Sequence, residues 1–260
     1  MIAAGAAVFV LAGCRAGDRG RRTDGGGADV AAAAPDTASV AGDSGPTGPG
    51  TRRLVFLGTS LTAGLGLDPG QAYPAVIQRK LDSLQLPWRA VNAGVSGETS
   101  AGALRRLDWV LRGRPSILVV ETGANDMLRG ENVDSTRANL EAIVRRARAD
   151  DPGLVVVLAG MEAAPNLGPR YAAEFHAIFT GLAARERVPL IPFLLAGVGG
   201  VDSLNQADGI HPTAAGARIV AENVWRVVGP LVEGRGARRS RGAAGPGAAA
   251  PVKARARGMR

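Results

Sequence analysis

The sequence predicts an α/β domain in which a mostly parallel sheet is covered by helices. Three observations carry that expectation. Apolar runs of strand length alternate with segments of helical periodicity along the middle of the chain. One run, Ile117-Leu118-Val119-Val120, is apolar without a break, as expected of a strand covered on both faces. Glycine-bearing polar motifs recur where strands end, the edge at which parallel sheets bind ligands.

The elements follow in order. Leu54-Val55-Phe56-Leu57 reads as the first strand, stopped by Gly58. Over 73–86, Val76, Ile77, Leu81 and Leu84 recur at roughly helical spacing while Gln78, Arg79, Lys80 and Asp82 face outward, which predicts a helix. Residues 88–91 form the second strand. Thr99 or Ser100 is suited to N-cap a helix that turns Leu104, Leu107, Val110 and Leu111 to the core. After the strand at 117–120 come a helix over 134–149, a strand at 154–158, a helix over 171–185, a short strand at 190–191 and a last helix over 213–228. Pro212 is expected in the first turn of that helix, where a missing N–H costs nothing. The result is one three-layer α/β/α domain over residues 52–233 with a five-stranded sheet.

The flanks read differently. Residues 2–12 are small and apolar, too few to span a bilayer, and end in Leu11-Ala12-Gly13-Cys14. This ending resembles the lipobox of bacterial lipoproteins. The resemblance implies that residues 1–14 form a signal segment, that Cys14 is lipidated, and that the protein is held at a membrane on the periplasmic or cell-surface side. No basic residue precedes the apolar run, an atypical feature, and a small apolar N-terminus with a free thiol is the other reading. Residues 15–51 and 234–260 are rich in Gly, Ala and Pro without apolar periodicity and are expected to be a disordered linker and a disordered tail.

Charge excludes one class of partner. The net charge is +8, and residues 234–260 hold eight basic residues and no acidic one, which leaves the folded part near neutral. A nucleic-acid surface is therefore not expected. The tail is either solvated or in contact with anionic headgroups or polysaccharide. A single cysteine rules out an internal disulfide framework.

The candidate chemistry rests on few residues. Ser60 follows the first strand with Gly58, Gly64 and Gly66 around it, so its hydroxyl can project from the sheet edge; taken alone it could equally N-cap a helix. Only two histidines exist. His211 lies in Asp208-Gly209-Ile210-His211-Pro212, where Asp208 can fold back onto the ring nitrogen that faces away from Ser60. Alternatively, Asp208 caps the last helix and His211 is a polar surface residue. His176, among Phe175, Ile178 and Phe179, reads as a packing or surface histidine. Gly94, in the turn Asn92-Ala93-Gly94, can offer a backbone N–H, and Asn125, in Gly123-Ala124-Asn125-Asp126, an amide; each could instead serve its turn or cap.

In this order and spacing, Gly58-Thr59-Ser60-Leu61, Asn92-Ala93-Gly94, Gly123-Ala124-Asn125-Asp126 and Asp208-x-x-His211-Pro212 resemble four sequence blocks of the SGNH, or GDSL-type, hydrolases. Residues 92–99, 125–130 and 165–171 resemble more narrowly the branch of bacterial thioesterase I/lysophospholipase L1 and the arylesterases. The resemblance implies a flavodoxin-like fold and a triad of Ser60 as nucleophile, His211 as base and Asp208 as its partner. It also implies an oxyanion hole from Ser60, Gly94 and Asn125. No metal or cofactor is expected; the substrate would be a small ester or thioester, such as a lysophospholipid. Where the family has Asp before the serine this chain has Thr59, which removes a carboxylate beside the nucleophile but no triad member. Leu167 and Met161, with Met127 and Leu128 opposite, are candidates to line an acyl groove or are ordinary loop packing. A carbohydrate O-acetyl esterase and a non-catalytic binding module of the same fold are the alternatives.

Overall fold

The computed structural model describes residues 50–243. Residues 1–49, which include Cys14 and most of the linker, and residues 244–260 lie outside the described residues, so the readings made on them are carried no further by the fold. Strands β1 (Arg52–Gly58), β2 (Trp88–Gly94), β3 (Ile117–Val120), β4 (Val155–Ala159) and β5 (Leu190–Ile191) form one sheet in the order β2-β1-β3-β4-β5. All the pairings between them are parallel. Helices α2 (Tyr73–Ser83) and α7 (Ala214–Ala243) pack on each other, while α3 (Ser100–Leu111), α5 (Val133–Asp150) and α6 (Pro169–Glu186) form a second group in which α5 touches both neighbours. The two groups make the outer layers. Every residue of β3, at the centre, is buried, which is why its run of apolar side chains has no polar alternation.

Local rules account for the boundaries. Thr99 N-caps α3, its hydroxyl accepting from the Gly102 N–H at 3.4 Å, and Asn132 caps α5 by accepting from Asp134 and Ser135. The inward residues meet across layers: Phe56 of β1 and Tyr73 of α2 pack edge to face with centroids 5.4 Å apart.

Three features depart from the sequence reading. Two one-turn helices, α1 (Ser60–Ala63) and α4 (Ala124–Leu128), come shortly after β1 and β3; four or five residues are too few to show a helical period. Pro212 stands before α7 in a bridge with Asn205, and Thr213 takes the cap position, its hydroxyl accepting from the Gly216 N–H. Helix α7 continues past residue 228 to Ala243, into the first part of the segment read as disordered. Val228 and Val232 prolong the buried face, and the Trp88 indole N–H donates to the Val232 carbonyl at 3.2 Å. Pro230 is accommodated on the exposed side.

Candidate active site

The strand order reverses between β1 and β3, and open parallel sheets leave a crevice at such a point, outside the carboxyl ends of the strands. Ser60 opens α1 at the end of β1, and Asn125 lies in α4 just beyond β3. The segment before α7 brings His211 to the same place. Its Nε2 lies 2.8 Å from Ser60 Oγ, and its Nδ1 lies 2.7 Å from Asp208 Oδ2. The other Asp208 oxygen accepts the N–H groups of Ile210 at 2.9 Å and His211 at 3.0 Å, so the carboxylate grips both the backbone and the ring of the histidine. Gln206 ties this loop to the turn after α1: its side-chain amide donates to Leu65 O and Pro212 O.

The protonation pattern follows from these contacts. An ionised carboxylate only accepts, so Nδ1 carries the proton and Nε2 is left to accept from the serine hydroxyl. Asp208 is suited to that part: the backbone N–H of His211, then the ring, then the N–H of Ile210 lower its pKa to about 2. The reading of Asp208 as a cap for the last helix is set aside, since Thr213 occupies that position.

Asn125 faces the crevice, and one of its two amide protons goes to Glu98 O at 2.9 Å. Glu98 is itself fixed by a two-pronged pair with Arg106, whose guanidinium also donates to Gly58 O. Next to Asn125, the buried Asp126 carboxylate accepts both the N–H and the hydroxyl of Ser100, locking α4 to the start of α3. Gly94 differs from its sequence reading. Its N–H is already donated to Asn92 Oδ1 at 2.9 Å, and it does not line the crevice. A side chain there would meet Ala63 N at 2.3 Å, so its bareness seats α1 against β2.

Beside the Ser60–His211 pair lies an open, largely apolar cleft of about 560 Å³. Met127, Leu128 and Met161 line it as expected; Leu167 does not, because it sits in a 3₁₀ turn (Pro165–Leu167) with its side chain partly exposed outside the cleft. Periodicity did not reveal Leu65, Phe193, Leu195 and Ile210, which also line the cleft from irregular segments. His176 is on the exposed side of α6, its Nδ1 2.9 Å from Glu162 Oε1.

Residues 56–219 match the family model described as the GDSL-like Lipase/Acylhydrolase family. The chain belongs to this family. It is 43% identical over 180 residues to Esterase TesA of Pseudomonas aeruginosa, an alignment covering 69% of this chain and 89% of that protein. It is 34% identical over 180 residues to Thioesterase 1/protease 1/lysophospholipase L1 of Escherichia coli strain K12, covering 69% and 84% of the two. Among solved structures, the psychrotrophic esterase EstA from Pseudoalteromonas sp., in a form inhibited by monoethylphosphonate, shares the fold with a TM-score of 0.66. That match has 32% identity and covers 70% of this chain and 99% of that one. Membership accounts for the parallel sheet and for Ser60, Asn125 and His211, which line one cleft although they lie far apart in the chain.

Proposed function

We propose that the protein is a serine esterase that hydrolyses carboxylic esters or thioesters through an acyl-serine intermediate. The observation that carries this reading is His211, which stands between Ser60 Oγ and Asp208 at hydrogen-bond distance on both sides. Ser60 Oγ attacks the carbonyl carbon while His211 Nε2 takes its proton, and Asp208 stabilises the imidazolium that forms. The negative charge on the carbonyl oxygen is met by the Ser60 N–H and the free amide proton of Asn125. The Gly94 N–H joins them only by exchanging Asn92 for the substrate. Collapse expels the alcohol or thiol, which leaves with the proton from His211. Water, deprotonated by the same nitrogen, then releases the acid and restores Ser60.

The cleft favours acyl groups longer than acetyl. An acetyl group needs only a small part of about 560 Å³ of mostly apolar space, whereas a lipid or thioester acyl chain can bury its methylenes there. The name of the Escherichia coli relative, a thioesterase and lysophospholipase, agrees with such substrates. A lipidated Cys14 and a linker over 15–51 would hold the domain beside a membrane that supplies lysophospholipids, outside the cytoplasm. That part rests on the sequence motif alone.

The test is a panel of p-nitrophenyl esters and acyl thioesters of increasing chain length, run on the wild type and on Ser60→Ala. Turnover that rises with chain length and vanishes in Ser60→Ala is expected. Acetyl-only activity would instead favour a sugar O-acetyl esterase, and unchanged turnover in the variant would remove Ser60 from the chemistry.

A further inference from the structure

Glu121 ends the β3 region completely buried, yet it belongs to none of the motifs that make the site. Its carboxylate lies under α1. Oε2 accepts from the Thr59 N–H and the Thr62 hydroxyl, both at 2.8 Å, and Oε1 accepts from the Thr59 hydroxyl at 2.9 Å. The Tyr73 hydroxyl extends the chain by donating to Thr62 Oγ1 at 2.7 Å, because Thr62 has given its one proton to the carboxylate. Every one of these contacts to Glu121 is a donor, the arrangement that an ionised carboxylate requires.

The geometry has a bearing on Ser60. Thr59 stands at the N-cap of α1, where a threonine hydroxyl ordinarily accepts from an N–H of the first turn, but it makes no such bond. It is turned away and spent as a donor to Glu121. No acceptor among the described residues takes the Ser60 N–H, and Ser60 lines the cleft. Gly58 completes the fit: a side chain there would meet Thr62 Oγ1 at 1.9 Å and Glu121 Oε2 at 2.7 Å, so only a bare backbone lets the carboxylate reach α1.

We propose that Glu121 is a positioning residue for the nucleophile: it holds α1 from the neighbouring strand and keeps the Thr59 hydroxyl off the helix start, so that Ser60 presents its hydroxyl to His211 and its N–H to the substrate. This rests on the reading of Ser60 as nucleophile. Thr59 is then the residue that suits a buried carboxylate beneath it, supplying two donors where an aspartate would bring a second negative charge.

The test uses Glu121→Met, which keeps the length and removes the acceptors, with Glu121→Gln as the conservative rescue and Thr59→Val as a variant of smaller reach. Each is assayed on a p-nitrophenyl ester, and kcat is normalised to chains that take up a fluorophosphonate, so that misfolded protein is not counted. Glu121→Met is expected to lower kcat per labelled chain about 10- to 100-fold with KM changed less than about threefold, since a displaced nucleophile costs the chemical step rather than binding. Glu121→Gln, which still offers one acceptor to the Thr59 N–H, is expected to recover at least half of that loss on a logarithmic scale. Wild-type kcat per labelled chain in Glu121→Met overturns the proposal. Where that variant does not fold, wild-type kcat per labelled chain in Thr59→Val, which lacks the hydroxyl donated to Glu121, overturns it. Failure of the wild-type chain to take up the label removes instead the nucleophile reading beneath it.

Discussion

Asp208 holds His211 at two points, accepting its backbone N–H at 3.0 Å and its ring Nδ1 at 2.7 Å with different oxygens of one carboxylate. Orientation and tautomer are therefore set by a single side chain three residues away. Asp208→Asn keeps the acceptor for the backbone but removes the charge, and its kcat/KM should fall about 10²- to 10⁴-fold in steady-state assays with KM little changed.

The same carboxylate sets a pH dependence of stability. Its folded pKa of about 2 lies below the ordinary aspartate value, so its contribution is present above the unfolded pKa and is lost as pH falls through about 2. The melting temperature of the wild type should exceed that of Asp208→Asn at neutral pH and converge on it in strong acid.

Gly94→Ala should be damaging for a packing reason. The new methyl would lie 2.3 Å from Ala63 N and 2.8 Å from Thr59 O, both backbone atoms that cannot swing aside. Helix α1 must then lift from β2 and carry Ser60 with it. A loss of about 1–3 kcal/mol in a urea titration and a fall in kcat are expected together.

Much of this was legible in the sequence, and the exceptions have a common cause. Asp208 and His211 lie three residues apart, so their pairing needed only a local turn. Ser60 and Asn125 stand at strand ends, whose apolar runs are plain. Glu121 was not legible: it looks like a polar stop after Ile117-Leu118-Val119-Val120, and only packing shows that Thr59 and Thr62, 62 and 59 residues away, cover it with donors. Leu167 was misplaced because residues 165–167 form a 3₁₀ turn whose facing cannot be read from composition. The cleft side chains Phe193 and Leu195 come from irregular chain with no period to read.

Asp126→Asn probes the neighbouring support. Asp126 is buried and accepts two bonds from Ser100, and Thr136 Oγ1 lies 3.4 Å from it. An amide there places a donor against donors, which should cost about 1–3 kcal/mol in chemical denaturation and loosen α4, the helix that carries Asn125.

Thr59→Asp should convert a quiet contact into a titrating one. Its carboxylate would replace a hydroxyl that donates to Glu121 Oε1 at 2.9 Å, and two carboxylates at that distance must share a proton. Burial already raises the Glu121 pKa, against the lowering effect of the Thr59 and Thr62 donors, and the pair would be raised further. A raised folded pKa means stability that is lost as pH rises through it. The urea midpoint of Thr59→Asp should therefore drop between about pH 5 and about pH 8.5 by more than that of the wild type.

In the proposed mechanism Ser60 carries the acyl group during turnover. Acid-quenching the enzyme during hydrolysis of a slow-leaving acyl ester and locating the adduct by peptide mass spectrometry tests this directly. One acyl group per chain on the peptide containing Ser60, absent from Ser60→Ala, is the predicted result. Full turnover with the acyl group on another residue would remove Ser60 as the nucleophile.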